Sequence, residues 1–542
     1  MNVIFITPTS ALRRIPLYRW GGKIYGQSNS ITGPLILGGI LKRAGHHVEV
    51  YEELNAGVNI RRLLRRGDVF CLSLMTSNVE RGYELADLIH EKTDARVIIG
   101  GIHPTYMPEE ALEHADQIIV GEGEDVIVDV VEGRTTDRII RGEVHEDLDR
   151  LPFPDYSILK TPCKAANVIS TRGCPYRCTF CTTSRMFAPY RQRSVDNVIE
   201  EIRMYKRMGF KYLNFEDDNF TADKERAKEI CRRMIDEDLL FKETFFFGRT
   251  DMAEDPEMLQ LLHDAHLTRT LIGIESLNQK ALDSIHKGQS IQNIKDAAKA
   301  CADHHIRVIA SIVLGLDEDS KEDMRRSIEF AKEINAYQLQ PAILTPYPGT
   351  PVFEQFEKEG RLLHKNWSSY DMMNVTFQPK NMSPWELQEE FYNGARHFYD
   401  LASVKKISRL FGREYGARRF GLWFSTKLGA WGAHVAADHF PISPYYKLKH
   451  YGEEPAEKKK RKPIWKRARH GVRTAASRTA ETVTHHQTAV AQTASGLVKK
   501  SAALTKEAAQ NATDLAKKSA ALTKEAAHNA AAEGHSVSAK TS

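Results

Sequence analysis

The chain has 542 residues, 42% hydrophobic and 27% charged, a composition ordinary for a globular protein of two or three domains. No window approaches the roughly 20 apolar residues of a spanning helix, and seven cysteines, four of them far from any other, exclude a disulfide framework and point to a reducing cytoplasm. The net charge of +5 is uneven: from Lys458 onward 17 Lys/Arg face 5 Asp/Glu, so the tail is strongly basic and the body is mildly acidic.

In chain order, MNVIFITPTS opens as a first strand rather than a signal peptide. Strands are expected at 2–8, 47–52, 68–75, 95–101 and 116–121, with helical spacing in GPLILGGILKRAG, ERGYELADLIHEKT and PEEALEHA between them. Near-continuous apolar strands joined by helices predict a doubly wound, flavodoxin- or Rossmann-like parallel sheet with its crevice at the carboxyl ends of the strands. The stretch 146–160, with two prolines, reads as a linker closing a first domain of residues 1–145. A second series follows at 167–171, 211–217, 244–250, 268–276, 307–315 and 337–345, again with helices between. Six β-α units predict a partial (β/α)6 TIM-type barrel over 161–352, with its chemistry on loops after the strands. Residues 353–450 form a mixed, aromatic-rich and largely helical region. In the tail, 451–542, LVKKSAALTKEAAQNATD (497–514) recurs as LAKKSAALTKEAAHNAAA (515–532), a weakly amphipathic, Ala-rich pattern without enough large side chains for a core.

The chemistry concentrates in ISTRGCPYRCTFCTT, which places Cys174, Cys178 and Cys181 in a C-x3-C-x2-C spacing on the loop after the first strand of the second series. Structural zinc wants four ligands, whereas a cubic iron–sulfur cluster held by three thiolates keeps one iron open for a substrate or cofactor.

That triad, with Phe180 before its last cysteine and the β/α series behind it, resembles the radical S-adenosylmethionine superfamily. With the first domain in front, it is similar to the branch carrying a cobalamin-binding domain, which includes class B methyltransferases and the anaerobic cyclase of bacteriochlorophyll synthesis. The resemblance implies a 4Fe–4S cluster on the three cysteines, S-adenosylmethionine (SAM) and cobalamin. It also implies reductive cleavage of SAM to a 5′-deoxyadenosyl radical, fed by a reductant such as flavodoxin or ferredoxin. For SAM it implicates Glu216, Asp217 and Asp218 in NFEDDNF, Arg249 in GRTD, Glu275 in GIES, and Ile312 and Leu314 in IASIVLGLDED, with TPYPGTPVF as the closing loop. The bland readings are helix capping for Asp217 and Asp218 and a barrel-end salt bridge for Glu275. For cobalamin it implicates Ser73 and Thr76 in SLMTSN, Gly100, Gly101 and His103 in GGIHPT, and Gly121, Glu122 and Gly123 in VGEGE. The D-x-H-x-x-G motif that supplies a lower cobalt ligand in many such domains is absent, and His103 reads better as a hydrogen-bonding or surface residue than as a ligand.

Ten Lys/Arg between 458 and 478 with Trp465, and basic residues mixed with aromatics in 405–431, suit peripheral contact with an anionic inner membrane surface, more than they suit nucleic acid. The expected function is methylation of an unactivated carbon in a lipid-like or secondary-metabolite substrate. The alternatives are a radical cyclase or oxidoreductase without methyl transfer and, from another class, a non-catalytic iron–sulfur scaffold at a membrane.

Overall fold

The computed structural model describes residues 1–9, 31–55, 58–440 and 443–452. Strands β1 (Asn2–Thr7), β2 (His47–Glu52), β3 (Val69–Ser73), β4 (Arg96–Gly100), β5 (Gln117–Val120) and β6 (Ile139–Arg141) pair in parallel in the order β2-β1-β3-β4-β5-β6. Period-2 alternation sends β1 into two cores. Val3 and Phe5 pack with Leu35 and Leu41 of α1 (Thr32–Arg43), while Ile4 and Ile6 pack with Leu85 and Ile89 of α2 (Val79–Lys92). Both faces of the sheet are therefore covered, as near-continuous apolar strands require. The strand order switches direction between β1 and β3, the point at whose carboxyl ends doubly wound sheets take their ligands. Strand β6, three partly exposed residues long, extends the sheet beyond the five strands expected; so short a run carries no readable periodicity.

The second series gives β7 (Ala165–Val168), an antiparallel pair β8 (Thr171–Arg172) and β9 (Arg191–Gln192), and then β10 (Tyr212–Phe215), β11 (Glu243–Gly248), β12 (Arg269–Glu275), β13 (Arg307–Leu314) and β14 (Gln338–Ile343). The large sheet is parallel, in the order β14-β13-β12-β11-β10-β7. Its end strands β7 and β14 are not hydrogen-bonded to each other, so the barrel is partial. Strand β7 stops at Val168 rather than 171 because the Asp217 carboxylate takes the amides of Ser170 and Thr171 at 2.6 and 2.7 Å and peels them off the sheet. Helices α3 (Val195–Arg207), α4 (Lys224–Asp236), α5 (Pro256–Asp264), α6 (Ile291–Asp303) and α7 (Lys321–Glu333) lie between these strands in the chain. Ser194, Asp223, Asp255, Ser290 and Ser320 cap them, about 1 kcal/mol each.

The proline-rich stretch 146–160 is a packed strut rather than a loose linker. Tyr156 and Ile158 are buried, the Asn167 amide donates to the Tyr156 hydroxyl at 2.8 Å, and the Lys160 amide donates to the Val50 carbonyl at 2.9 Å. One apolar cluster consequently runs from Val3 and Phe5 through Tyr156 to Tyr205 and Phe246, joining the two sheets. Beyond β14 come α8 (Pro351–Lys358), α9 (Pro384–Phe398), α10 (Leu401–Phe411), α11 (Arg413–His439) and α12 (Pro444–Lys449). The basic stretch 458–478, the repeat at 497–532 and most of the first loop, PTSALRRIPLYRWGG, lie outside the described residues.

Candidate active site

The loop between β8 and β9 carries the three cysteines, and its geometry is fixed before Cys174. Gly173 sits at φ +79°, and a Cβ there would strike the Phe187 carbonyl oxygen, so only glycine serves. The Cys181 amide donates to the Cys178 carbonyl at 3.2 Å, and the Thr179 amide donates to the Ile285 carbonyl at 3.1 Å, tying the loop to the segment after β12. All three thiols are free, and Cys178 is buried. Burial pushes Cys174 up to about 11, with Asp218 and the other two cysteines adding to it. Burial likewise raises Cys178. Thiols whose burial disfavours the thiolate, as at Cys174 and Cys178, fit a site whose metal displaces their protons.

Charge is arranged asymmetrically around the triad. On the Cys178 side stand two cations, Lys287 and Arg249. The Arg249 guanidinium stacks on the Tyr176 ring, 3.5 Å from its centroid, and donates to the carbonyls of Lys287 and Gly288 at 2.9 and 3.2 Å. Its buried Nε has no hydrogen-bond partner among the described residues. Glu275 sits in a β-bulge at φ +60° and pairs with Lys287 Nζ at 2.5 Å. That backbone is strained for a non-glycine residue, as is common where a side chain must be aimed. Gly273 leaves the room, since a Cβ there would collide with the Glu275 carboxylate and with Lys287 Nζ. On the Cys174 side stands Asp218, whose carboxyl burial pushes up to about 6, with Asp217 adding to it; burial raises Glu216, two residues earlier in the chain, to about 7. Cations on one flank and an under-compensated carboxyl on the other suit the two ends of a zwitterion.

Asp217 does neither of the things its sequence context suggests. It is fully buried, accepts from the Ser170 amide, the Ser170 hydroxyl and the Thr171 amide, and lies near Arg226. Its oxygens are spent on shaping the entry to the cysteine loop, and Asp223 caps the following helix instead. Ile312 and Leu314 bury their side chains in the core, so β13 offers a ligand only its backbone there. Phe180 packs half-buried on the same core.

The first domain gathers most of its implicated residues at the carboxyl ends of β3, β4 and β5. Gly101, at φ +113°, lets its loop pass Leu74 so closely that a Cβ would sit 2.5 Å from the Leu74 oxygen. Ser73 and Gly100 end their strands in register, and the Gly121 amide donates to Thr105 Oγ1 at 3.1 Å. Gly123 packs against Ile119 and Leu37. His103 is buried, with Nδ1 on Thr76 Oγ1 at 3.2 Å, Nε2 on Glu110 Oε1 at 3.3 Å, and its ring edge-on to Trp367 at 5.0 Å. Both ring nitrogens are engaged, so it is the hydrogen-bonding histidine rather than a free ligand. Glu122 is committed to the cysteine loop. It pairs with Arg172 at 2.8 Å and Arg191 at 2.5 Å, the two strand residues bracketing the cysteine loop, while Glu124 takes the other end of Arg172 at 2.5 Å. Burial pushes the Glu122 carboxyl up, but the two arginines outweigh it and hold it below its ordinary value.

The two sites converge. Tyr106, just after the β4 loop, packs on Gly349 of TPYPGTPVF, and its phenol lies within electrostatic reach of Arg185 and Cys181. Tyr106, Arg172, Tyr176, Lys287 and Trp367 escape sequence reasoning because each acts through a partner distant in the chain. Lys287 had one weak signal, a lysine before a glycine in the loop after the GIES strand.

Residues 168–331 match the family model of the radical SAM superfamily and residues 32–131 that of the B12 binding domain. The chain thus carries a radical SAM domain and, ahead of it, a B12-binding domain. Among relatives, a bacteriochlorophyllide d C-12(1)-methyltransferase of Chlorobaculum tepidum is 26% identical over 396 residues, covering 70% of this chain and 85% of that one. An anaerobic magnesium-protoporphyrin IX monomethyl ester cyclase of Cereibacter sphaeroides is 25% identical over 440 residues, 74% of this chain and 70% of that one. The fold is shared with the radical SAM methyltransferase TsrM of Kitasatospora setae (TM-score 0.59, 14% identity, 79% of this chain and 99% of that one). It is shared also with the cobalamin-dependent SAM radical enzyme OxsB (TM-score 0.57, 15% identity, 83% and 74%).

Proposed function

We propose that the protein is a cobalamin-dependent radical SAM enzyme that methylates an unactivated carbon of a small lipid-like or secondary-metabolite substrate. The observation that carries this reading is the convergence of the three-cysteine loop and the switch point of the first sheet within one packed unit, with Tyr106 packed on Gly349 and within electrostatic reach of Cys181. When bound, the cluster supplies the electron that cleaves SAM, and cobalamin carries the methyl group that is transferred. Cys174, Cys178 and Cys181 would hold the cluster. Lys287 and Arg249 would draw the SAM carboxylate, Asp218 and Glu216 its ammonium, and Glu275, held by Lys287, would face ribose hydroxyls. The loops at Ser73–Thr76, Gly100–Gly101 and Gly121–Gly123 would cradle the corrin, where glycine allows close backbone approach. An electron donor of the flavodoxin or ferredoxin type and peripheral contact of the basic tail with an anionic membrane complete the proposed setting.

Anaerobic reconstitution followed by iron, sulfide and cobalt counts tests the cofactors, with about four irons and one cobalt per chain expected. With SAM and a reductant, the loaded protein forms 5′-deoxyadenosine, and Cys178→Ala loses both the iron and that product. Retained iron and activity in Cys178→Ala would refute the assignment. The cyclase reading draws on an equally extensive relative. It is decided by S-adenosylhomocysteine, which accompanies methyl transfer from SAM and is absent from cyclisation.

A further inference from the structure

Helix α11 turns three of its aromatic side chains outward while burying Leu422 and Arg419. Toward the protein it presents mainly small residues, Gly416, Gly421, Ala430, Ala433 and Ala437, which let it lie close on its neighbours. Phe420, Phe424 and Trp431 are 49%, 45% and 65% exposed. With the exposed Lys427 between them they fall within an arc of about 60° at 100° per residue. Trp423, partly buried against the core, borders the stripe, 5.2 Å from the Phe420 ring and 5.2 Å beneath Lys427 Nζ. A globular helix normally shows the reverse arrangement, and an aromatic stripe of this kind marks an interaction surface.

The charge around the stripe says what covers it. Residues 401–440 carry seven Lys/Arg against two acidic side chains, and Lys405, Lys406, Arg409 and Arg413 are all exposed. Helix α12 ends at Lys449, and the chain runs on into the segment 458–478 with its ten Lys/Arg. A second copy of the same face would bring like charges together. A bilayer offers an apolar boundary for aromatic rings and a sheet of phosphates for lysines and arginines in one plane. Among the described residues no helix is long and apolar enough to cross a membrane. We propose that the Phe420–Phe424–Trp431 face of α11 seats the protein flat on an anionic lipid surface. This contact is separate from the basic tail and does not depend on the reaction assigned above.

The test is co-sedimentation of the full-length chain with vesicles of phosphatidylcholine–phosphatidylglycerol and of phosphatidylcholine alone, for the parent and for a Phe420→Ser, Phe424→Ser, Trp431→Ser variant. All three positions point outward, and circular dichroism confirms folding of the variant. The expected result is preference of the parent for the anionic vesicles and a loss on the order of tenfold or more in the variant. Quenching by brominated lipid should also be weaker in the single variant Trp431→Phe. Equal binding of parent and triple variant would overturn the proposal, since the tail would then account for all attachment. So would a failure of the parent to bind, or a parent dimer that the triple variant dissociates, which would make the face a contact between copies.

Discussion

Glu122 holds the first domain to the loop that carries the cysteines, and removing it has a calculable cost. Its side chain is 3% exposed and accepts four hydrogen bonds: Arg172 Nη1 at 2.8 Å, Arg191 Nη1 at 3.1 Å, Arg191 Nη2 at 2.5 Å and the His145 amide at 3.2 Å. In Glu122→Ala, Arg172 keeps Glu124, whereas Arg191 keeps only the carbonyls of His145, Pro189 and Phe187. A buried guanidinium without its counter-ion costs about 3–5 kcal/mol. Glu122→Gln preserves volume and one acceptor and should cost roughly half as much. The assay is anaerobic urea unfolding by tryptophan fluorescence, with a double-mutant cycle against Arg191→Met. The two losses should fall short of additivity by more than about 1 kcal/mol, because deleting both partners leaves no orphaned charge. The pH dependence follows from the carboxyl being held below its ordinary value. Its stabilisation is complete above about pH 4.5 and fades as pH falls through the lower folded value, so the variants should be less sensitive than the parent in that acid window. A Glu122→Ala variant within 1 kcal/mol of the parent, or strict additivity with Arg191→Met, would refute the reasoning.

Three further outcomes are expected. Gly101→Ala forces a side chain into a left-handed backbone against the Leu74 oxygen, and should cost about 2–4 kcal/mol and lower cobalt retention after reconstitution; cobalamin retained at the parent level would contradict it. Burial raises the Glu52 carboxyl to about 7, so the parent should lose stability as pH rises from about 4.5 to 7, by up to about 3 kcal/mol. Glu52→Gln, which cannot ionise, should show a flatter profile in urea titrations across that range. Lys287→Met leaves Glu275 buried without its partner, so half-maximal 5′-deoxyadenosine formation should need on the order of tenfold more SAM at unchanged iron content; an unchanged SAM requirement would remove Lys287 from the site.

Much of this protein is readable from the chain alone. The strands from Asn2–Thr7 to Gln338–Ile343, apart from the short β6, β8 and β9, were marked by apolar runs between helical periods, and Cys174, Cys178 and Cys181 by their covalent spacing. Those signals are local, carried within one strand, one helix or one loop, and survive without knowledge of neighbours. Three adjacent carboxyls, Glu216, Asp217 and Asp218, show where that ends. Only packing decides that the middle one shapes the Ser170–Thr171 turn while its neighbours remain under-compensated, Asp218 beside Cys174. His103 is engaged because Glu110 reaches it, and Trp367, 257 residues along the chain from Glu110, closes over both. Glu122 serves the domain junction because Arg172 and Arg191 arrive on the β8–β9 pair that brackets the cysteine loop. Residue type and periodicity fix what a side chain can do and which element carries it. Which of its possible partners it meets depends on contacts between segments tens to hundreds of residues apart, and those exist only once the two sheets share a core.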